Sequence, residues 1–266
     1  MFQFDRILIV SFLLITMSAN MLPAEEEAKP TTQPAQLPAG QPLDLFLLIG
    51  QSNMAGRAVP EAEDRTIHPR VWTLAKTGEW VPAKAPIHFD KPHAVGVGPG
   101  LSFGKVIAGE NTKVFVGLIP CAVGGTSIDQ WEKGGCLYEA AVRRAKIAMT
   151  HGRLKGILWH QGEADCDSAS VKAYPEKFIQ LVRDLRSDLN APNVPVIVGQ
   201  LGSFRKPSPI EFNKMLVTIP QVILNCACVS AEKLKDKGDG RHFSADSQRE
   251  FGRRYAAAYL RLLSAK

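Results

Sequence analysis

The stretch Leu43 to Gly56, LDLFLLIGQSNMAG, constrains the chain more than any other. Asp44 to Ile49 is a nearly continuous apolar run, and a run without alternation is the pattern of a strand covered on both faces of a parallel sheet. Gly50 then permits a sharp turn, and Ser52 or Asn53 can cap a helix starting near Met54. A serine placed there sits where open parallel sheets bind ligands and where free N–H groups favour developing negative charge. Ser52 is therefore a candidate nucleophile, and the competing reading is that its hydroxyl only caps the helix.

The residues before this stretch read as an address. Ile7 to Met17, ILIVSFLLITM, has the length of a signal-peptide apolar region and is short for a stable membrane span. Residues 1–24 are expected to be a signal peptide, although no clean A-x-A cleavage site is present and retention as an anchor is the alternative. Residues 25–42, rich in Glu, Pro, Thr, Gln and Ala, lack the apolar side chains for a core and are expected to be a flexible linker. Residues 43–266 then suit one sizeable α/β domain. The expected location is secreted or periplasmic.

The formal charge of +6 does not point to nucleic acid, because the basic residues are scattered over helical segments rather than set in a stripe with aromatics. Five cysteines in an exported chain allow one or two disulfides. None of Cys121, Cys136, Cys166, Cys226 and Cys228 has zinc-ligand spacing, so no metal site is expected. Cys226 and Cys228 share one face of a strand and are unsuited to pair with each other.

Arg57 to Val95, rich in Pro, His and charge, forms a long surface excursion with strand-like pieces at Val71 to Leu74 and Trp80-Val81. The glycines of Gly96 to Glu110 lack the preceding strand and the spacing of a dinucleotide loop and read as a tight helix entry. Lys113 to Pro120 is a second buried strand ending in the glycine loop Cys121 to Trp131, CAVGGTSIDQW. Leu154 to Trp159 is a third strand, followed at once by HQGEAD, His160 to Asp165. Strands are also expected at Val194 to Val198 and Val222 to Ser230, and helices at Leu137 to Thr150, Ala173 to Leu189 and Ser244 to Leu263. Alternating strands and helices imply a parallel sheet with helices on both faces, a three-layer α/β/α sandwich.

Three consecutive strands thus end in polar, glycine-containing loops, GQSN, AVGGTS and HQGEAD, on the same edge of the sheet. A fourth loop before the last helix, KGDGRHFS, brings Asp239 close to His242. A histidine held through one ring nitrogen by a carboxylate can take the serine proton on the other. His160, after a buried tryptophan, reads as a packing residue or one that supports the site residues from behind, and His151 as a helix-terminal cation, while His68, His88 and His93 lie in the excursion.

GQSNMAG, GGTSIDQW, WHQGEAD and DGRHFS, in this order, resemble the blocks of the SGNH (GDSL-type) hydrolases, in the branch of sialate O-acetylesterases and acetylxylan esterases. The resemblance spans Leu43 to Leu263. It implies a flavodoxin-like sheet and hydrolysis of acetyl esters, usually on carbohydrate. It also implies Ser52 as nucleophile and His242 as general base, with an oxyanion hole of the Ser52 N–H, a Gly124 or Gly125 N–H and the Gln161 side chain. Gln161 stands where the wider superfamily has asparagine. The acid is Asp239, which fits the D-x-x-H pattern, or Glu163 of the HQGE block. Gln51 and Asn53, flanking the serine, are assigned to substrate binding.

The resulting expectation is a cofactor-independent serine esterase whose partner is an acetylated carbohydrate, xylan or similar. Sialate esters and a non-catalytic carbohydrate-binding protein are the alternatives. No nucleic acid is expected as a partner, and no membrane after signal removal. The absence of G-x-S-x-G around Ser52 disfavours the ordinary α/β-hydrolase fold.

Overall fold

The computed structural model describes Met1, Leu37 and residues 40–265. The signal-peptide and linker expectations for residues 1–42 lie almost wholly outside them. The apolar run becomes strand β1 (Leu43–Gly50). The short helix α1 (Ser52–Ala55) follows it, and the excursion adds helix α2 (Ala62–Arg65) and strands β2 (Val71–Leu74) and β3 (Trp80–Pro82). The rest alternates as helix α3 (Pro99–Glu110), strand β4 (Phe115–Pro120), helix α4 (Cys136–Met149), strand β5 (Gly152–His160) and helix α5 (Ser168–Asp188). Strand β6 (Val196–Gly199), helix α6 (Ile210–Thr218), strand β7 (Cys226–Val229) and helix α7 (Ala245–Ser264) complete it.

These strands form one sheet in the order β3-β2-β4-β1-β5-β6-β7. Neighbours are parallel except β2 and β3, an antiparallel pair at the edge. The run β4-β1-β5-β6-β7 has flavodoxin-like order, and β1 lies where the strand order changes direction, with β4 on one side and β5 on the other. The loops after these three strands therefore meet at one crevice.

Strand β1 is buried on both faces, as its lack of alternation requires. Leu43, Leu45, Leu47 and Ile49 face a core completed by α4, α5 and α6, where Trp159, Tyr174, Phe178 and Phe212 pack. Phe46 and Leu48 face the opposite core, filled by α3 and α7 through Phe103, Phe251, Tyr255 and Tyr259. Each such side chain stabilises the fold by roughly 1.5–3 kcal/mol of apolar burial. On α7, Phe251, Tyr255 and Tyr259 recur every fourth residue and so share one face.

Some expectations are corrected. Helix α5 begins at Ser168 rather than Ala173, because the Asp167 carboxylate caps it by accepting the Ala169 and Ser170 N–H groups at 3.1 and 3.0 Å. Helix α6 was not expected, since only Phe212 and Leu216 are buried on it and three prolines or serines crowd its approach. All five cysteines are free thiols, so the allowance for disulfides is not used.

Candidate active site

At Gly50 the backbone takes φ +125, and a Cβ there would lie 2.1 Å from the His160 carbonyl oxygen. Only glycine lets β1 turn that tightly against β5. The turn carries the Gln51 N–H to the same carbonyl at 2.8 Å and makes Gln51 the N-cap of α1, with no side-chain cap. Ser52 is thus the first residue of the helix, and capping does not occupy its hydroxyl.

The Ser52 Oγ lies 3.1 Å from Nε2 of His242. On the other side of the ring, Nδ1 lies 2.7 Å from Asp239 Oδ2. Asp239 Oδ1 accepts the Arg241 and His242 backbone N–H groups at 2.9 and 2.8 Å, and Lys237 Nζ stands 3.2 Å from Oδ2. Partial burial pushes the Asp239 carboxyl up, but the His242 ring and these other donors outweigh it and hold it well below the usual carboxylate range. The result is an ionised carboxylate, an imidazole and a hydroxyl in hydrogen-bonded sequence.

Glu163 is elsewhere. Its Oε1 accepts Asn53 Nδ2 at 2.6 Å, and the histidine within ion-pair distance of it among the described residues is His160, whose Nδ1 is 4.0 Å away. The carboxylate on the His242 ring is therefore that of Asp239. His160 is fully buried against Phe243 and Phe251, and burial lowers its pKa, so the ring stays neutral and packs as expected.

The oxyanion donors assigned from the sequence separate into free and occupied groups. Among the described residues, the Ser52 and Gly125 N–H groups have no acceptor. The Gly124 N–H donates to Asp90 Oδ2 at 2.8 Å. Both amide hydrogens of Gln161 are committed, one to the Thr126 carbonyl at 2.9 Å and one to Asp165 Oδ2, while its Oε1 accepts the Tyr174 hydroxyl at 2.8 Å. Gln161 thus ties the β4 and β5 loops together through the same amide that was assigned to the oxyanion. Asp165, pushed up by burial and drawn down by Gln161, also accepts the Ile128 N–H at 3.2 Å.

Gln51 and Asn53, the two residues flanking Ser52, are placed differently from each other. Gln51 borders the cleft. Asn53, 2% exposed, is engaged inside the protein at both ends of its amide, by Glu163, the Arg241 carbonyl and the Phe243 N–H. It has no free group for a ligand.

The cleft over Ser52 encloses about 710 Å³ and is bordered by the catalytic-type residues, by Gly124 and Gly125, and by the basic side chains Arg57, Lys91, Arg205, Lys237 and Arg241. Several of its components carry no sequence signal. The buried Arg57–Asp90 ion pair, 2.5 Å, supports the Gly124 loop from within the excursion, and a Cβ at Gly124 would lie 2.3 Å from Arg57 Nη2 and 3.2 Å from Ser52 Cβ. Glu61, Glu63 and Asp246 bring carboxylate oxygens within 4.8 Å of one another at the surface, and Arg249 already pairs with all three.

Residues 42–261 match the family described as carbohydrate esterase, sialic acid-specific acetylesterase. The chain is 33% identical over 258 residues to the probable carbohydrate esterase At4g34215 of Arabidopsis thaliana, covering 88% of this chain and 95% of that one. The X-ray structure of that Arabidopsis protein superposes with a TM-score of 0.77 at 30% identity, over 83% of this chain and 98% of the other. NanS has the same fold, with a TM-score of 0.70 at 18% identity over 85% of this chain and 99% of NanS. So does XAC1771, a carbohydrate acetylesterase of Xanthomonas citri, with a TM-score of 0.64 at 18% identity over 84% of this chain and 57% of that one. With the fold and the matched family in agreement, the chain is a carboxylic ester hydrolase and belongs to the family of carbohydrate esterases described as sialic acid-specific acetylesterases.

Proposed function

We propose that the protein is an exported serine esterase that removes O-acetyl groups from carbohydrate through an acyl-serine intermediate. The observation that carries this reading is the run Asp239, His242, Ser52 at 2.7 and 3.1 Å. His242 Nε2 takes the Ser52 proton as Oγ bonds to the acetyl carbonyl carbon, and Asp239 stabilises the imidazolium. The Ser52 and Gly125 N–H groups, free in the structure, receive the oxyanion. The imidazolium then gives its proton to the leaving sugar oxygen as the C–O ester bond breaks. His242 then takes a proton from a water whose oxygen bonds to the acyl carbon, and the imidazolium returns that proton to Ser52 Oγ as the acyl C–Oγ bond breaks and acetate leaves.

Acetylated xylan or a similar polysaccharide is the first substrate class. Of the five basic side chains at the cleft, Arg57 pairs with Asp90 and Lys237 with Asp239, and the other three, Lys91, Arg205 and Arg241, favour a second reading, an acetylated acidic sugar such as a sialic acid, whose carboxylate they would attract. The deciding experiment measures acetate release from acetylated xylan, other acetylated glycans and O-acetyl sialic acids. Ser52→Ala serves as the control, with an expected loss of about 10³-fold or more. Turnover by that variant at the native rate overturns the mechanism, and binding without acetate release from any ester would leave a carbohydrate-binding protein.

A further inference from the structure

His242 rides on a loop whose far side is anchored by the buried Phe243 against His160, Phe204 and Phe251, while its near side is open to solvent. Lys237 to Arg241 are exposed. Gly238 and Gly240 N–H groups donate to Asp236 at 3.0 and 2.6 Å, and those of Arg241 and His242 donate to Asp239. These contacts shape the loop internally but do not tie it to the strand end that carries Ser52.

Asn53 makes that tie. Its Nδ2 donates to the Arg241 carbonyl at 3.2 Å and its Oδ1 accepts the Phe243 N–H at 3.1 Å, so one side-chain amide grips the backbone on both sides of His242. Asn53 directly follows Ser52 in the buried first turn of α1, and its carbonyl accepts Gln248 Nε2 at 3.0 Å from α7. The residue after the nucleophile therefore bonds the backbone on both sides of the base to the helix that carries Ser52.

An amide can flip, and only one orientation serves here. Glu163 Oε1, 2.6 Å from Asn53 Nδ2, selects it, because the flipped amide would set its oxygen against a carboxylate and a carbonyl at once. Glu163 is 8% exposed, and its other oxygen has no partner among the described residues.

We propose that Asn53, oriented by Glu163, is the positioning residue that holds the His242 ring at Ser52. The inference rests on Ser52 and His242 being nucleophile and base. Asp239 lies on the same loop as His242, so loss of the clamp moves acid and base together and preserves their contact. The expected signature is a fall in kcat with KM and the acid limb of the pH profile unchanged.

Asn53→Asp replaces the donor by an acceptor at nearly constant volume. At a temperature where its melting curve shows a folded protein, kcat should fall on the order of 100-fold, the cost of a displacement near 1 Å. Glu163→Gln alone should lose only several-fold. Added to Asn53→Asp, it supplies an amide that donates to the new carboxylate, and kcat should recover at least about fivefold over the single variant. Native kcat in Asn53→Asp, or no recovery in the double variant, overturns the proposal. If Asn53→Asp does not fold, Glu163→Ala decides, with an expected loss of about tenfold in kcat at unchanged KM and native kcat as the refuting result. Ser52→Ala and His242→Ala in the same assay test the underlying reading: activity in those variants removes it, whereas inactivity there with native Asn53→Asp removes only the positioning role.

Discussion

Asp90 Oδ2 accepts the Gly124 N–H at 2.8 Å across 34 residues of sequence. The carboxylate is 1% exposed and is held by Arg57, itself 6% exposed. Burial pushes Asp90 up, but Arg57 and Gly124 outweigh it and keep the carboxyl ionised. Asp90→Ala would strand the Arg57 guanidinium, and a buried charge left without its partner typically costs about 3–5 kcal/mol. Urea unfolding should show a loss of that order, with Asp90→Asn less affected because it still accepts from Gly124. A loss below about 1 kcal/mol in Asp90→Ala would contradict the importance of this pair.

Asp239 and Glu163 make opposite predictions for conservative variants. Asp239→Asn keeps the side chain's shape but removes the charge facing the imidazolium, and kcat should fall by orders of magnitude. Glu163→Gln should lose only several-fold, since an amide oxygen can still accept from Asn53. Steady-state kinetics at matched thermal stability compare them. A reversed ranking would make Glu163 the acid, and small losses in both would leave His242 working without either.

His88, 4% exposed, has no hydrogen-bond partner for either ring nitrogen among the described residues. Burial lowers its pKa from 6.5 to about 4, with Asp90 opposing and Arg57 and Arg144 adding to the shift. The ring is thus neutral when folded, while the unfolded chain binds the proton first as pH falls. Stability from this group is fully present above pH 6.5 and is lost progressively down to about 4, on the order of 3 kcal/mol. Burial of His160 acts in the same direction. Unfolding free energies of the native protein and His88→Gln between pH 4 and 7 should converge on acidification, and parallel curves would refute the assignment.

Among the described residues no helix is long and apolar enough to cross a membrane. The proposed export instead depends on Ile7 to Met17 acting as a cleaved signal. Mass spectrometry of exported material should find an N-terminus near Ala24. A product that is membrane-bound and retains Met1 would make the segment an anchor.

Much of this molecule is local and was therefore readable. The apolar runs at β1, β4 and β5 are covered on both faces, which leaves no alternation to confuse them with exposed strands. Parallel pairing sends their carboxyl ends to one edge, so the convergence of GQSN, AVGGTS and HQGEAD follows from the strand pattern alone. The Asp239–His242 contact spans three residues of one loop and needs no knowledge of the rest of the chain. Helix α6 escaped because two buried side chains are too few to mark a helical face.

The sequence by itself determined the layered α/β architecture and the edge of the sheet that bears the site, because each depends on periodicity along the chain, while it left Asp239 and Glu163 both open as the carboxylate beside His242. Whether Ser52 caps a helix or faces a histidine was decided only by tertiary structure, through a contact spanning 190 residues. The same is true of Gln161, whose amide is spent on Thr126 and Asp165, and of Asn53, whose amide reaches Glu163 and both flanks of His242. A side-chain amide offers the same donors and acceptor wherever it stands, and only the packed loops decide which partners come within 3 Å or so of it.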